Sequence, residues 1–176
     1  MPSWTIHDKW ALRLGINWRI SREINLLIDF PEKWFKQKYP SERLECSRFL
    51  ILNITNQDPC LVLFKLSKFS EKFGHDMGRR RKWQRDFQLH CIYKHYGIEG
   101  IKAAILHHIL DYVESVSYFD KEEIIRRIDE RFGDLIYYAN SDEEWHQAVA
   151  KAASEVLDFV KRNITDVIND LITKRL

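Results

Sequence analysis

The 176-residue sequence has little of what all-β proteins and membrane proteins need. Glycine (6) and proline (4) are scarce, whereas a β-sandwich or barrel requires many tight turns. No apolar run approaches the roughly 20 residues of a membrane-spanning helix, and segment 1–8 lacks the apolar region of a signal peptide. The composition, with 45% hydrophobic and 31% charged residues, is that of an ordinary globular protein. Together with these absences it predicts one all-α, cytoplasmic domain over residues 1–176, with no membrane partner.

Cysteine and net charge are also low. The three cysteines, Cys46, Cys60 and Cys91, form no C-x-x-C pair, which argues against a disulfide framework and against a thiolate zinc site. We therefore expect buried, reduced thiols. The formal net charge is only +2, so any affinity for nucleic acid must come from a local basic patch and not from the molecule as a whole.

Apolar residues recur with the helical period along most of the chain. Gly97 and Gly100 predict a hinge between two helices, and Asp120 and Ser141 each open a capping-box pattern that predicts a helix start. Segment 60–73 also alternates locally, but we favour a helix there over a short strand. One predicted helix is capped by Ser21 and ends before residue 31. The other predicted helices are 4–14, 32–38, 44–54, 83–96, 101–116, 122–132, 144–162 and 165–174.

Histidine is unevenly distributed. Five of the seven histidines lie between His75 and His108, and aspartates accompany them. Imidazole and carboxylate together suit a divalent ion such as Mn, Mg, Fe, Co, Ni or Zn, and no thiolate is needed. His107 and Asp111 are four residues apart on the strongest predicted helix, so their side chains share a face and could reach one ion. His108, three residues before Asp111, could do so as well.

Segment 75–79, which reads His-Asp-Met-Gly-Arg, resembles the His-Asp-x-Gly-Lys core of the HD superfamily of metal-dependent phosphohydrolases, an all-α family. Segment 75–111 is also similar to the HD nuclease domain of CRISPR interference helicases, in which a Phe-Gln pair and a later His-His doublet follow the motif. Here these are residues 87–88 and 107–108. The family order of ligands implies an HD-like domain with a metal site. Its implied ligands are His7, His75, Asp76, His107, His108 and Asp111, with His90 as an alternative middle ligand and Asp129 or Asp134 as alternative last ligands.

The resemblance also implies a reaction. A metal-bound water with a lowered pKa would attack a phosphate monoester or diester, with a nucleotide or nucleic acid as the leading substrate. Asp76 would take part in catalysis as well as in metal binding. Arg79, or less readily Lys82 or Lys102, would stabilise the phosphoryl oxygens. His90, or alternatively His95, would protonate the leaving oxygen.

Segment 79–85 is the one dense basic run. Its cations are Arg79, Arg80, Arg81, Lys82 and Arg85. As a functional patch it would bind the phosphates of a substrate or nucleic acid, with Trp83 available for base stacking. Otherwise it is a solvated helix start whose charges meet nearby carboxylates. This run supports a rival function, a non-catalytic helical module for nucleic-acid binding or assembly. The resemblance implies a second rival, a metal protein with oxidative chemistry on the same ligands, because HD-like folds also host di-iron oxygenases.

Overall fold

The computed structural model describes residues 3–40, 58–60, 62 and 82–173, with residues 82–84 described by their backbone alone. Within these residues the chain forms seven α-helices, one 3-10 helix and no strand, which confirms the all-α prediction. The helices are α1 (Trp4–Arg13), α2 (Trp18–Asp29), α3 (Pro31–Lys38), α4 (Lys82–Val116), α5 (Lys121–Phe132), the 3-10 helix (Gly133–Asn140), α6 (Glu144–Arg162) and α7 (Ile164–Thr173). None of the described helices is long and apolar enough to cross a bilayer. The predicted helix 44–54 and most of segment 60–73 lie outside the described residues.

Helix α4 is a hairpin of two arms that meet at Gly97. Gly97 has φ 59° and ψ −153°, a backbone conformation that glycine alone adopts readily. Gln88 on the first arm lies 2.9 Å from His108 on the second, so the arms run back along each other. A Cβ on Gly100 would stand 2.4 Å from Tyr96 Cβ, so this corner also needs glycine for close packing. The predicted break between the two helices is confirmed at Gly97, whereas Gly100 lies within the second arm.

The second arm of α4 lies at the centre of the described helices. Helices α1, α2, α5, α6 and α7 all pack against α4. The apolar side chains of the second arm are buried around its whole circumference, as expected for a helix enclosed by others. They are Ile101, Ala104, Ile105, Leu106, Ile109, Leu110 and Val113. His107, His108 and Asp111 are buried on the same arm, where a polar group is costly unless other polar groups or an ion satisfy it.

Two of the three cysteines differ from the expectation. Cys60 and Cys91 are joined by a disulfide, so the prediction of reduced thiols is wrong for this pair. The bond links residues 58–60 to the first arm of α4, and an ion pair between Asp58 and Lys94 lies on the same two segments. Spacing gave no signal for it, since a disulfide depends on which residues the fold places side by side. Cys46 lies outside the described residues.

Hydrogen-bonded side-chain caps begin two of the described helices, α2 and α5. Asp120 accepts a hydrogen bond from the Glu123 N–H at 2.8 Å, as its capping-box pattern predicts. Helix α6 begins at Glu144 as predicted, but Glu143, not Ser141, is its N-cap residue. Helix α2 begins earlier than predicted, because Asn17 caps it, whereas Ser21 is buried and donates to Asp8.

Candidate metal centre

Three helices bring two histidines and two aspartates together in the interior. His7 comes from α1, Asp29 from the last position of α2, and His107 and Asp111 from the second arm of α4. His7 Nε2 lies 3.4 Å from Asp111 Oδ1, and His107 Nε2 lies 3.5 Å from both Asp111 Oδ2 and Asp29 Oδ1. We call these four residues the His–Asp cluster.

The spacing within the cluster fits a metal ion. One ligand atom from each of His7, His107 and Asp111 can be chosen so that all three lie within 4.8 Å of one another, so this buried group could hold an ion. Ligand atoms about 2.1 Å from a tetrahedral ion stand about 3.4 Å apart, which is the separation observed between neighbouring members of the cluster. The shared helix face of His107 and Asp111, predicted from their spacing, is confirmed.

Three ring nitrogens of the two imidazoles face the cluster or its surroundings without a hydrogen bond in the described part of the chain. His7 is 3% exposed and His107 is 1% exposed. Both ring nitrogens of His7, and Nε2 of His107, are buried and make no hydrogen bond to another described residue. Burial, with a smaller contribution from His107, lowers the pKa of His7 against the opposing effect of Asp111 and Asp29. Burial therefore favours the neutral form of His7, which is the form that binds metals.

A buried amide sets the orientation of His107. Asn25 Nδ2 donates to Asp8 Oδ1 at 3.3 Å, so Asn25 Oδ1 faces the other way and accepts from His107 Nδ1 at 2.8 Å. The proton of His107 is thereby placed on Nδ1, and the lone pair of Nε2 faces the cluster. Asp8 is itself held by the Ser21 hydroxyl at 2.8 Å and by an ion pair with Arg22.

Asp29 has a similar support. The Trp4 indole Nε1–H donates to Asp29 Oδ2 at 2.6 Å. This bond fixes the carboxylate so that its other oxygen, Oδ1, is the one 3.5 Å from His107 Nε2. Hydrogen bonds of this kind to the outer atoms of ligands are typical of metal sites, where they fix ligand orientation.

His108 does not join the cluster. Its ring is 5.7 Å from the His107 ring, nearly perpendicular to it, and its Nε2 lies 2.9 Å from Gln88 Oε1. Consecutive residues on a helix point about 100° apart, so His108 faces the first arm and lines a cleft between α4 and α5 together with Arg85 and Arg131. Both histidines are predicted ligands, and of the two only His107 lies in the described group that could hold an ion.

The other described candidates lie elsewhere. His90 stacks on Trp145 with ring centroids 4.7 Å apart, and burial lowers its pKa. His95 Nε2 lies 2.8 Å from the Tyr39 hydroxyl. Three charged candidates form ion pairs outside the cluster: Asp129 with Lys161, Asp134 with Arg85, and Lys102 with Glu155. His75, Asp76, Arg79, Arg80, Arg81 and the side chains of Lys82 and Trp83 lie outside what the structure describes.

Sequence reasoning missed Asp29 and Asn25. They are four residues apart on α2, so they share a helix face. A signal existed for Asp29, because a carboxylate at the last residue of a helix faces the negative end of the helix dipole. Such a residue is unfavourable for the isolated helix and has to be stabilised by something beyond it.

Comparison of the chain with known protein families, curated proteins and solved structures finds no match to any of them.

Proposed function

We propose that this protein is a divalent-metal-dependent phosphohydrolase of the HD type, whose ion is held by the His–Asp cluster. The supporting observation is the buried group of His7, His107 and Asp111, with unused imidazole nitrogens at metal-ligand spacing. Imidazoles bind metals in the neutral form, so the charge of the cluster comes from its two carboxylates, and a divalent ion balances it. This mixed nitrogen and oxygen set suits Zn, Mn, Fe, Co or Ni better than Mg, which favours oxygen ligands.

Each part of the cluster has its own task in this proposal. A bound divalent ion supplies Lewis acidity and lowers the pKa of a coordinated water. His7 and His107 bind through neutral nitrogens, while Asp111 and Asp29 supply charge. Asn25 and Trp4 keep the ligand atoms in place before binding, so less ordering is needed when the ion arrives. The surrounding apolar residues of α4 exclude bulk water.

The assignment of the ion to the His–Asp cluster is tested by replacing two adjacent histidines in turn. Metal content of the purified protein is measured first, followed by calorimetric titration of the metal-stripped protein with Zn²⁺ and Mn²⁺. His107→Ala should weaken binding by at least the roughly 10–100-fold seen when supporting residues of metal sites are lost. His108→Ala, a change of the same residue type one position further, should leave the affinity unchanged. Equal losses in the two variants would overturn the assignment.

Phosphohydrolase chemistry is tested separately. The metal-loaded protein is assayed against bis(p-nitrophenyl) phosphate, p-nitrophenyl phosphate, nucleotides and single-stranded nucleic acids. Hydrolysis should require the added metal and should be abolished in Asp111→Asn. Metal binding at the cluster without hydrolysis of any of these substrates would refute the phosphohydrolase proposal and leave the metal assignment intact.

One observation favours a second function. Two histidines and one carboxylate around open positions are also the ligand set of non-haem iron oxygenases, and His7, His107 and Asp111 match it. Under this alternative, the protein reconstituted anaerobically with Fe²⁺ would consume oxygen when a substrate is present, and phosphoesters would not be hydrolysed. We favour hydrolysis because the neighbouring cleft is lined by two arginines.

A further inference from the structure

A cleft between α4 and α5 adjoins the cluster through His108. His108 lines the cleft, and its ring contacts that of His107, which belongs to the cluster. The volume of the cleft is about 230 Å³. This is below the range of roughly 300–1,000 Å³ typical of pockets for drug-sized ligands, so the cleft fits a small molecule or one end of a larger one.

The lining of this cleft combines positive charge with an apolar floor. Arg85 and Arg131 supply two guanidinium groups, and none of the described residues that line the cleft is acidic. The floor consists of Leu89, Ile105, Phe132 and Leu135. A ligand that suits this surface has an anionic group at one end and an apolar or aromatic group at the other.

Both arginines are held in place by neighbours. Arg85 donates to the two oxygens of Asp134 at 3.1 and 2.7 Å, while its buried Nε–H makes no hydrogen bond within the described residues. The Arg131 guanidinium lies 4.9 Å from the centre of the Tyr112 ring. An arginine that is already positioned loses less side-chain entropy when it binds an anion.

The Arg85–Asp134 pair also stands between two clefts of different charge. Arg85 lines the cleft described above, whereas Asp134 lines a second cleft together with Asp86 and Tyr138. The carboxylates of Asp86 and Asp134 thus line the second cleft, and no described acidic residue lines the first.

We infer that the cleft between α4 and α5 binds a phosphate ester, with the phosphate at Arg131 and Arg85 and the apolar ester group on the leucine, isoleucine and phenylalanine floor. The choice of phosphate over other anions rests on the proposed function. The presence of an anion site rests on the arginines alone. Arg131 can bind phosphate through paired N–H donors, the geometry that makes arginine well suited to this group. Arg85 would add its Nε–H, because its two Nη groups bond to Asp134.

Phenyl phosphate is the probe that tests this inference, with phenol and benzoate as comparison ligands. Binding is measured by calorimetry and by amide NMR shifts of residues on the cleft floor, in metal-free protein. Arg131→Gln should weaken phenyl phosphate binding about 10–150-fold, the range expected for one hydrogen bond to a charged group. Arg126→Gln is the matched control, because Arg126 is exposed on the same helix and pairs with Glu123. It should bind as the wild type does.

The outcomes separate this inference from the proposed function. In one outcome no metal supports hydrolysis, but phenyl phosphate binds to the wild-type and His107→Ala proteins and its binding is weakened in Arg131→Gln. The cleft assignment then stands and the phosphohydrolase proposal fails. If hydrolysis occurs and Arg131→Gln changes neither phenyl phosphate binding nor KM, the cleft assignment is overturned. Tighter binding of benzoate than of phenyl phosphate would overturn the choice of phosphate.

Discussion

The buried hydrogen bond between Asn25 and His107 should contribute both to folding stability and to metal affinity. The Asn25 side chain accepts from His107 Nδ1 at 2.8 Å in a fully buried setting. In Asn25→Ala the His107 N–H would lose its acceptor, which costs about 1–3 kcal/mol of folding stability for a buried donor. The imidazole would also be free to rotate or to carry its proton on Nε2, the atom that faces the cluster. We therefore expect metal affinity to fall about 10–100-fold, as for other supporting residues of metal sites.

Ser21→Ala provides the matched control. Ser21 lies one helical turn before Asn25, is equally buried, and bonds to the same Asp8 oxygen at 2.8 Å. It does not contact the cluster, and the ion pair with Arg22 still holds Asp8 when the Ser21 hydroxyl is removed. Its loss should cost about 1 kcal/mol of stability and leave metal affinity unchanged. The free energy of unfolding is measured in urea on metal-free protein, and affinity by titration with Zn²⁺. If Asn25→Ala binds zinc as the wild type does, or if Ser21→Ala loses as much affinity, the argument that Asn25 orients His107 is wrong.

Three further predictions concern the support of Asp29, the corner of α4 and the charges of α5. Trp4→Phe removes the N–H that holds Asp29 and should weaken zinc binding about tenfold by calorimetry; an unchanged affinity would remove Asp29 from the proposed ligands. Gly97→Ala should lower the free energy of unfolding by about 1–3 kcal/mol. Gly133 has φ −63° and open space around it, so Gly133→Ala should raise the free energy of unfolding by about 0.4–1 kcal/mol. Similar midpoints of urea unfolding for the two variants would contradict this. NMR titration should place the pKa of Glu123 at about 2, because two arginines of α5 bond to its carboxylate. The stability that this carboxylate contributes is then fully present above its usual pKa of 4.5 and is lost as the pH falls through about 2. A measured pKa near 4.5 would show that these contacts are not kept in solution.

The helices could be predicted from the sequence because their signals are local. The apolar period, the Asp120 cap and the corner at Gly97 each depend on residues a few positions apart. The start of α2 was misplaced for a tertiary reason. Ser21 has the chemistry of a cap, but the packing of α1 against α2 brings its hydroxyl to Asp8, and Asn17 caps the helix instead. The disulfide between Cys60 and Cys91 was missed because it joins segments that only the fold brings together.

The candidate site shows the same division between local and long-range information. His107 and Asp111 could be predicted as a pair because one helix fixes their relative position. The side on which His108 lies could not be predicted, because spacing alone does not say which face of α4 meets α1 and α2. Asp29 reaches the cluster only through the packing of α2 on α4, so no spacing within the sequence relates it to His107.

The dipeptide of His7 and Asp8 supports the cluster by two routes at once. Neighbouring residues on a helix point about 100° apart, so His7 faces Asp111 while Asp8 faces α2. Asp8 then fixes the Asn25 amide, and Asn25 fixes His107. Helix α1 thus contributes one member of the cluster directly and orients a second through two hydrogen bonds. Because both routes start from consecutive residues, a shift of α1 along its axis would displace His7 and at the same time release His107. The geometry of the cluster therefore depends on the packing of α1 on α2.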